Sequence, residues 1–196
     1  MTMTGQQPAA ASTEARRAMI DSQLRTSGVN EPWVLAAMAR VPREDFVPEP
    51  AKAAAYIDRA LALGGGRFLA PPLVHGKMLA EAAPLASDTA LLIGDEQGYL
   101  AALLRPLVGS LECVEPGATA KGHYTLIIID GAIEQLPDWV AARLADSGRL
   151  VTGLVERGVT RLAAGRKAGD AFALLPLTEL GIPVLSQFAA PKRWSF

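Results

Sequence analysis

The sequence predicts a doubly wound α/β fold with a mostly parallel sheet and an antiparallel end. The first observation is the order strand, glycine loop, helix, strand, which four consecutive segments follow: 90–93, 94–98, 99–107 and 111–114. This order is the opening unit of doubly wound sheets. The second observation lies near the C-terminus, where the strand-like runs 159–165 and 171–177 are joined by turn-forming residues. Such a connection is typical of a β-hairpin, so the last strands are expected to be antiparallel.

Composition narrows the class of protein. The chain has 196 residues, half of them hydrophobic, which suffices for one domain with a sizeable core. The formal net charge is −1 and the basic residues are scattered, so we expect no nucleic-acid partner. Cys113 is the only cysteine, which excludes an internal disulfide and a cysteine zinc cluster. The two histidines lack acidic residues at ligand spacing, so no metal site is expected.

Targeting signals are not apparent in the sequence. No segment has the uninterrupted apolar length of a signal-peptide core or of a membrane span. We therefore expect a cytoplasmic protein without a membrane partner.

The N-terminal part is predicted to be a helical layer over residues 13–86, packed on the sheet. Residues 1–12 are mainly Ala, Thr, Gln and Pro and are expected to be disordered. Ser12 or Thr13 is the expected cap of the first helix. Four helices are predicted in this layer: 13–25, 31–41, 49–56 and 73–83. Since no polar linker follows Ala86, residues 13–196 are expected to form a single domain, with the sheet core and C-terminal tail in 87–196.

Two further strands and a tail are predicted after the opening unit. Residues 124–129 are almost all β-branched or Leu, which is typical of a buried parallel strand, and they end at Asp130. A helix over 136–145 and a strand over 149–155 follow. The tail 184–196 contains three aromatic residues and is expected to dock on the body of the protein.

The glycine loop and the ends of the strands are the candidate cofactor site. In such units the backbone N–H groups of the loop face a nucleotide-like cofactor, and the acid after the second strand accepts hydrogen bonds from a ribose diol. Gly94, Gly98 and Glu115 occupy these positions, and Asp130 ends the next strand at the same rim. Glu96 lies in the middle of the loop, where its bulk and charge are expected to weaken the cradle. The alternative for the loop is a purely structural strand-to-helix turn, and the alternative for Asp130 is a cap of the turn that follows it.

Six segments of the chain, taken together, resemble the protein-L-isoaspartate O-methyltransferases. They are MIDSQLRTSGVNEPWVLAAMARVPREDFVPE (19–49), YIDR (56–59), GGG (64–66), the glycine loop with Tyr99, DGA (130–132) and GRLV (148–151). The resemblance covers most of the chain from Met19 to about Leu162. It implies a seven-stranded methyltransferase sheet with an antiparallel end, S-adenosylmethionine as cofactor, and methyl esterification of isoaspartyl carboxylates in damaged protein or peptide substrates.

The resemblance also implies an acceptor site that contains Asp58, Ala70 and His75. Asp58 matches a Tyr-x-Asp-Arg segment near the family's active site, with a helix cap or a pair with Arg59 as the structural alternative. His75 lies where some members have a histidine, with a surface or half-buried helix histidine as the alternative. Ala70 replaces an active-site serine of the family, so it cannot supply a hydroxyl. The loss of such a contact costs about 1–3 kcal/mol, or about ten- to a hundredfold in rate.

The largest departure from the family lies between Glu115 and Tyr124. Here the family has a helix, an edge strand and an acidic turn beside the adenine, whereas this chain has only residues 116–123. These residues must span about 20 Å with a maximum reach of about 27 Å, so they are expected to run almost straight and to leave the adenine side open. The alternative is that a segment of the protein is missing from the sequence at this point.

These departures leave a second hypothesis open, a non-catalytic protein that keeps the fold as a binding or structural module. A nicotinamide-dependent enzyme is disfavoured because the loop lacks the three-glycine spacing.

Overall fold

The computed structural model describes residues 7–169 and 171–191. The chain divides into two compact units, one that reaches to Ala80 and one that begins at Glu81. The single domain with a layer boundary at residue 86 stays a prediction. Within the described residues, no helix has both the length and the apolar character needed to cross a bilayer.

The N-terminal unit is mainly helical. Its regular elements are α1 (Gln7–Met19), a π-helical turn (Ile20–Leu24), α2 (Pro32–Arg40), two 3-10 helices (Arg43–Phe46 and Glu49–Ala54), β1 (Leu61–Gly64), β2 (Arg67–Leu69) and α3 (Pro72–Ala82), which continues past the unit boundary. Helix α1 begins before the predicted caps Ser12 and Thr13, because Pro8 fits a first helical turn and three alanines follow it. Residues 7–12, predicted to be disordered, thus form the start of α1, and residues 1–6 lie outside the described part.

A small hairpin in this unit was not predicted from the sequence. β1 and β2 pair antiparallel, with Leu61 opposite Leu69. Gly64, Gly65 and Gly66 connect them with positive φ angles of 90°, 60° and 77°. Side chains rarely adopt such angles, which explains why three consecutive glycines stand at this turn.

The C-terminal unit contains a six-stranded sheet with the order β4-β3-β5-β6-β7-β8. Its strands are β3 (Thr89–Ile93), β4 (Ser110–Val114), β5 (Tyr124–Ile133), β6 (Leu144–Glu156), β7 (Val159–Arg166) and β8 (Leu175–Glu179), and its helices are α4 (Tyr99–Leu104) and α5 (Asp138–Arg143). Strands β3 to β6 pair parallel, and β7 and β8 are antiparallel. The predicted fold class is confirmed. In the described residues this sheet has six strands, whereas the family resemblance implies seven. The difference is expected, because segment 116–123 is too short to contain the edge strand of the family.

Burial explains the central strands and two of the differences from prediction. Both faces of β3 and β5 are covered by other parts of the protein, which explains why the sequences of these strands are nearly continuous runs of apolar residues. The last strand was predicted over 171–177, but β8 begins only at Leu175 because Phe172 and Leu174 turn to pack against the core. The helix predicted over 136–145 is shortened to α5, because Pro137 is its N-cap and Leu144 already belongs to β6.

A buried ion pair joins the amino ends of β3, β5 and β6. Arg149 donates to both carboxylate oxygens of Asp88, at 2.5 and 3.1 Å, and the Thr125 hydroxyl donates to the same carboxylate at 2.7 Å. Asp88 is only 4% exposed. Burial by itself would raise the pKa of Asp88, but the hydrogen bonds from Arg149 and Thr125 outweigh it and hold this pKa below its ordinary value of 3.8.

Asp88→Asn is expected to lower the free energy of unfolding by about 3 kcal/mol at neutral pH, because Arg149 would lose its buried counter-charge. The Asp88 pKa is lower in the folded than in the unfolded protein. The stabilisation is therefore fully present above pH 3.8 and is lost as the pH falls through the folded pKa. Urea denaturation across the acidic range measures both effects.

The matched control is Glu156→Gln, which removes the exposed ion pair with Arg161 and should cost less than about 1 kcal/mol. A constant difference between wild type and Asp88→Asn throughout the acidic range would contradict the pH dependence.

Candidate functional site

The carboxyl ends of three neighbouring strands form the candidate site of the C-terminal unit. Ile93 at the end of β3 is in register with Val114 of β4 and with Ile129 of β5. The next residues along these strands are Gly94, Glu115 and Asp130, three of the predicted cofactor residues. The structure therefore brings them side by side at one edge of the sheet.

Close packing explains the glycine that opens the loop. The Gly94 N–H donates to the Val114 carbonyl at 2.8 Å. A Cβ atom on Gly94 would lie 3.0 Å from the Cβ of Asp130, closer than side chains normally pack. Gly94 thus lets Asp130 approach the end of β3 closely.

The second glycine ends a tight turn. The Gly98 N–H donates to the Asp95 carbonyl at 3.0 Å, and the Gln97 N–H donates to the Asp95 carboxylate at 2.8 Å. A Cβ on Gly98 would lie 3.0 Å from the Asp95 carbonyl oxygen. The loop is therefore held in a compact shape by Asp95, and Gly98 begins α4 as its N-cap.

Glu96 lies in the middle of the loop, midway between the two glycines. Its side chain is 70% exposed, so most of its bulk lies in solvent. Arg105 lies 3.7 Å from the Glu96 carboxylate and also donates to the Glu96 carbonyl at 2.7 Å. Most of the Glu96 side chain therefore lies in solvent with Arg105 nearby, and the weakening of the cradle by Glu96 stays a prediction.

Glu115 and Asp130 differ in their surroundings. Glu115 is exposed at the edge of the sheet, directly after β4. Asp130 is half-buried, and β5 continues past it to Ile133 with an irregularity between Ile128 and Ala132. Strand rather than a turn thus follows Asp130 directly, and its role, at the cofactor or as a cap, stays a prediction.

The short connection 116–123 is not straight. It turns at Pro116-Gly117, where the Ala118 N–H donates to the Glu115 carbonyl at 2.9 Å and Gly117 has a φ of 94°. Ala120 is then buried in the core beneath the sheet. The prediction of an almost straight connection is wrong because burial of Ala120 draws the chain inward.

The three residues predicted for the acceptor site lie in the N-terminal unit. Asp58 is exposed, and its carboxylate accepts from the Leu73 N–H at 3.2 Å in the first turn of α3. This is the helix-cap alternative considered above. Ala70 and His75 are both buried. His75 is therefore neither the surface nor the half-buried histidine that the sequence alternative describes.

Arg43 is a further residue of this region that sequence reasoning did not single out. Its guanidinium is fully buried and donates to the Ala55 carbonyl at 2.7 Å and to the Ala70 carbonyl. It also lies 3.1 Å from Nδ1 of His75. Because a guanidinium can only donate, Nδ1 must accept, which places the imidazole proton on Nε2.

Arg43 thus fixes both the backbone at Ala70 and the orientation of the His75 ring. The local sequence gives no signal of this burial, because Arg43 lies among charged residues in VPREDF, a context typical of an exposed segment.

A second polar cluster braces the same unit. The Tyr56 hydroxyl donates to the Glu44 carboxylate and accepts from Arg16 Nε at 2.8 Å, and Arg16 also contacts Glu44 at 3.2 Å. Burial, together with the hydrogen bond to Glu44, raises the pKa of Tyr56 to about 12. Tyr56 therefore stays protonated at neutral pH and joins α1 to the 3-10 helix Arg43–Phe46.

Comparisons with known proteins agree on one family. The model of the family "Protein-L-isoaspartate(D-aspartate) O-methyltransferase (PCMT)" matches residues 14–115, just over half of the chain. A protein-L-isoaspartate O-methyltransferase of Roseiflexus castenholzii is 35% identical over 81% of this chain and 85% of its own length. One from Methanospirillum hungatei is 28% identical over 91% of this chain and 97% of its own length.

Solved structures support the fold. A structure described as a protein-L-isoaspartate O-methyltransferase from Plasmodium falciparum in complex with S-adenosyl-L-homocysteine superposes with a TM-score of 0.72. The superposition covers 88% of this chain and 98% of the other, at 15% sequence identity.

The alignments also bear on the short connection. The Roseiflexus alignment has 189 positions and includes 81% of this chain, which is about 159 residues. At the other roughly 30 positions the relative has a residue and this chain has a gap. The Methanospirillum alignment, 209 positions against about 178 residues, gives a similar difference. The family match ends at Glu115, where residues 116–123 begin. These observations support a segment that is shortened relative to the relatives.

Arg43→Met is expected to lower the free energy of unfolding by about 3 kcal/mol, because Ala55, Ala70 and His75 would each lose a buried donor worth about 1 kcal/mol. Urea denaturation measures the change. Arg40→Met, an exposed arginine at the end of α2, is the matched control and should stay within about 0.5 kcal/mol of wild type. Equal costs for the two variants would show that the contacts of Arg43 add no stability.

Proposed function

The chain belongs to the protein-L-isoaspartate(D-aspartate) O-methyltransferase family, and from this premise we propose that it transfers the methyl group of S-adenosylmethionine to isoaspartyl carboxylates in damaged proteins. The observation that carries the proposal is the alignment of Gly94, Glu115 and Asp130 at one edge of the sheet. A role in protein repair follows from this substrate class. A cytoplasmic location stays a prediction.

The loop and the strand ends fit the cofactor by their chemistry. Gly94 and Gly98 let the loop fold closely against Asp130 and Asp95, because a Cβ at either position would lie 3.0 Å from a protein atom. Glu115 offers an exposed carboxylate that can accept two hydrogen bonds from a ribose diol. Asp130 packs beside Gly94 and completes the rim, and Glu96 lies mostly in solvent with Arg105 as its counter-charge.

The proposed reaction needs positioning more than acid–base groups. Bound S-adenosylmethionine would supply an electrophilic methyl group, and a carboxylate oxygen of the acceptor would be the nucleophile that displaces its sulfur in line. The nucleophile is already ionised at neutral pH, so no general base is required. The protein contributes alignment and exclusion of water.

We assign the acceptor site to the segment around Ala70. Arg43 holds the Ala70 carbonyl and the His75 ring from the interior, and Asp58 caps the start of α3 directly after this segment. Asp58 and His75 thus act as positioning residues for the acceptor segment. Ala70 lacks the hydroxyl of the family's serine, which predicts a slow enzyme rather than an inactive one.

Isothermal titration with S-adenosylhomocysteine is expected to show micromolar binding to the wild type. Glu115→Ala should weaken it about tenfold, because two hydrogen bonds to a charged acceptor are lost. Glu179→Ala, which removes an exposed carboxylate on β8, is the matched control and should bind as wild type does. No binding to the wild type at millimolar ligand would instead favour the non-catalytic binding module.

Ala70→Ser is expected to raise the rate of isoaspartyl-peptide methylation about tenfold, because the new hydroxyl supplies the positioning contact that the family has. Methyl transfer from labelled S-adenosylmethionine to an isoaspartyl peptide, with the matching aspartyl peptide as blank, measures the rate. Ala53→Ser, at an exposed position, should leave the rate unchanged. If Ala70→Ser also leaves it unchanged, the segment around Ala70 is not the acceptor site.

A further inference from the structure

The C-terminal strap, residues 182–188, runs across the carboxyl edge of the sheet. Val184 forms a parallel bridge with Ala132 of β5. The Ala132 N–H donates to the Pro183 carbonyl at 2.7 Å, and the Leu185 N–H donates to the Ala132 carbonyl at 2.8 Å. The Phe188 carbonyl accepts from Glu134 N–H at 3.1 Å. The strap is therefore fixed by backbone hydrogen bonds to the residues that follow Asp130.

Three glycines lie under side chains of the strap, one on each element that it crosses. A Cβ on Gly153 of β6 would lie 2.9 Å from the Ile182 side chain, and a Cβ on Gly131 of β5 would lie 2.5 Å from the Leu185 side chain. At Gly117, in the short connection, the corresponding distance to Gln187 is 3.5 Å. The first two distances exclude any larger residue, so the strap and the sheet are matched to each other.

The strap also covers apolar surface next to the short connection. Phe188 is only 5% exposed and packs in the same core cluster as Ala120 of the connection and Ile133 of β5. Both faces of a largely parallel sheet must be covered. Residues 116–123 contain no helix that could do so, and Phe188 contributes to the cover instead.

We propose that the strap is a wall of the cofactor site on the adenosine side, in the place left open by the shortened connection. This inference rests on the proposed function. The strap contacts Gly131, the residue after Asp130, and Gly117, two residues after Glu115. It thus packs against the backbone close in sequence to each of the two residues assigned to the cofactor.

Two side chains of the strap have separate roles. The Leu185 side chain packs against Gly131. Because Gly131 follows Asp130 directly, this contact positions Asp130 through the backbone. Gln187 is exposed beside Gly117, where its amide can donate to or accept from the purine or ribose of a ligand held by Glu115. The strap therefore supplies an apolar contact and an adaptable polar one, which suits an adenosine.

The test compares two adjacent strap residues by calorimetric titration with S-adenosylhomocysteine and with adenosine. Leu185→Ala should weaken both ligands about tenfold. Val184→Ala, whose side chain is 49% exposed, removes a similar volume without touching Gly131 and should stay within about twofold of wild type. Leu185→Met should restore most of the affinity, because it refills the space over Gly131.

Gln187→Ala is the second variant and does not depend on the packing of Leu185. It should weaken adenosine and S-adenosylhomocysteine by the same factor, about three- to tenfold, because it removes a contact to their shared part. Wild-type affinity in both Leu185→Ala and Gln187→Ala, with a lower thermal midpoint for the former, would show a purely structural strap and overturn the inference alone. Absence of binding by the wild type would overturn the proposed function, and the strap's role with it.

Discussion

The candidate cofactor site depends on the pairing of one strand with its two neighbours. β3 is buried on both faces and pairs parallel with β4 and β5 in a fixed register. A slip of one residue would exchange the side chains that pack on the two faces of β3, so close packing on both faces holds this register. The same register places Gly94, Glu115 and Asp130 at one level. The site is therefore a consequence of core packing, and the loop itself needs few contacts to keep it in place.

The chain shows how a doubly wound unit can lose a segment and keep its core. The affected strand lies at the sheet edge beside β4, so no central pairing is lost. What must be replaced is cover for the apolar face, and Ala120 and Phe188 both pack there. As a consequence, Gly131 and Gly153 cannot easily be replaced by larger residues, because the strap packs directly on the backbone there. Shortening one connection thus constrains residues far away in the sequence.

Sequence reasoning was most successful where one physical signal dominates. Continuous β-branched and leucine runs predicted the central strands, and the ends of those strands correctly placed Gly94, Glu115 and Asp130 at one edge, because parallel strands align their carboxyl ends. The failures involve competition between signals. Phe172 and Leu174 read as strand residues by their propensity, but they pack against the core and delay β8 to Leu175.

The same competition explains what was missed at the site. Glu96 was expected to fill the loop, yet its side chain reaches solvent and lies near Arg105, nine residues away. Arg43 could not be found by spacing, because its partners Ala55, Ala70 and His75 are brought to it only by the tertiary fold. A buried cation with backbone partners has no sequence period that would reveal it.

The ion network of Asp88, Arg149 and Thr125 has a consequence for how stability and binding can be altered separately. It ties together the amino ends of β3, β5 and β6, whereas the glycine loop, Glu115 and Asp130 lie at the opposite ends of their strands. Folding stability and the candidate site therefore depend on opposite ends of the same strands. A substitution at one end can change its own property without touching the residues that determine the other.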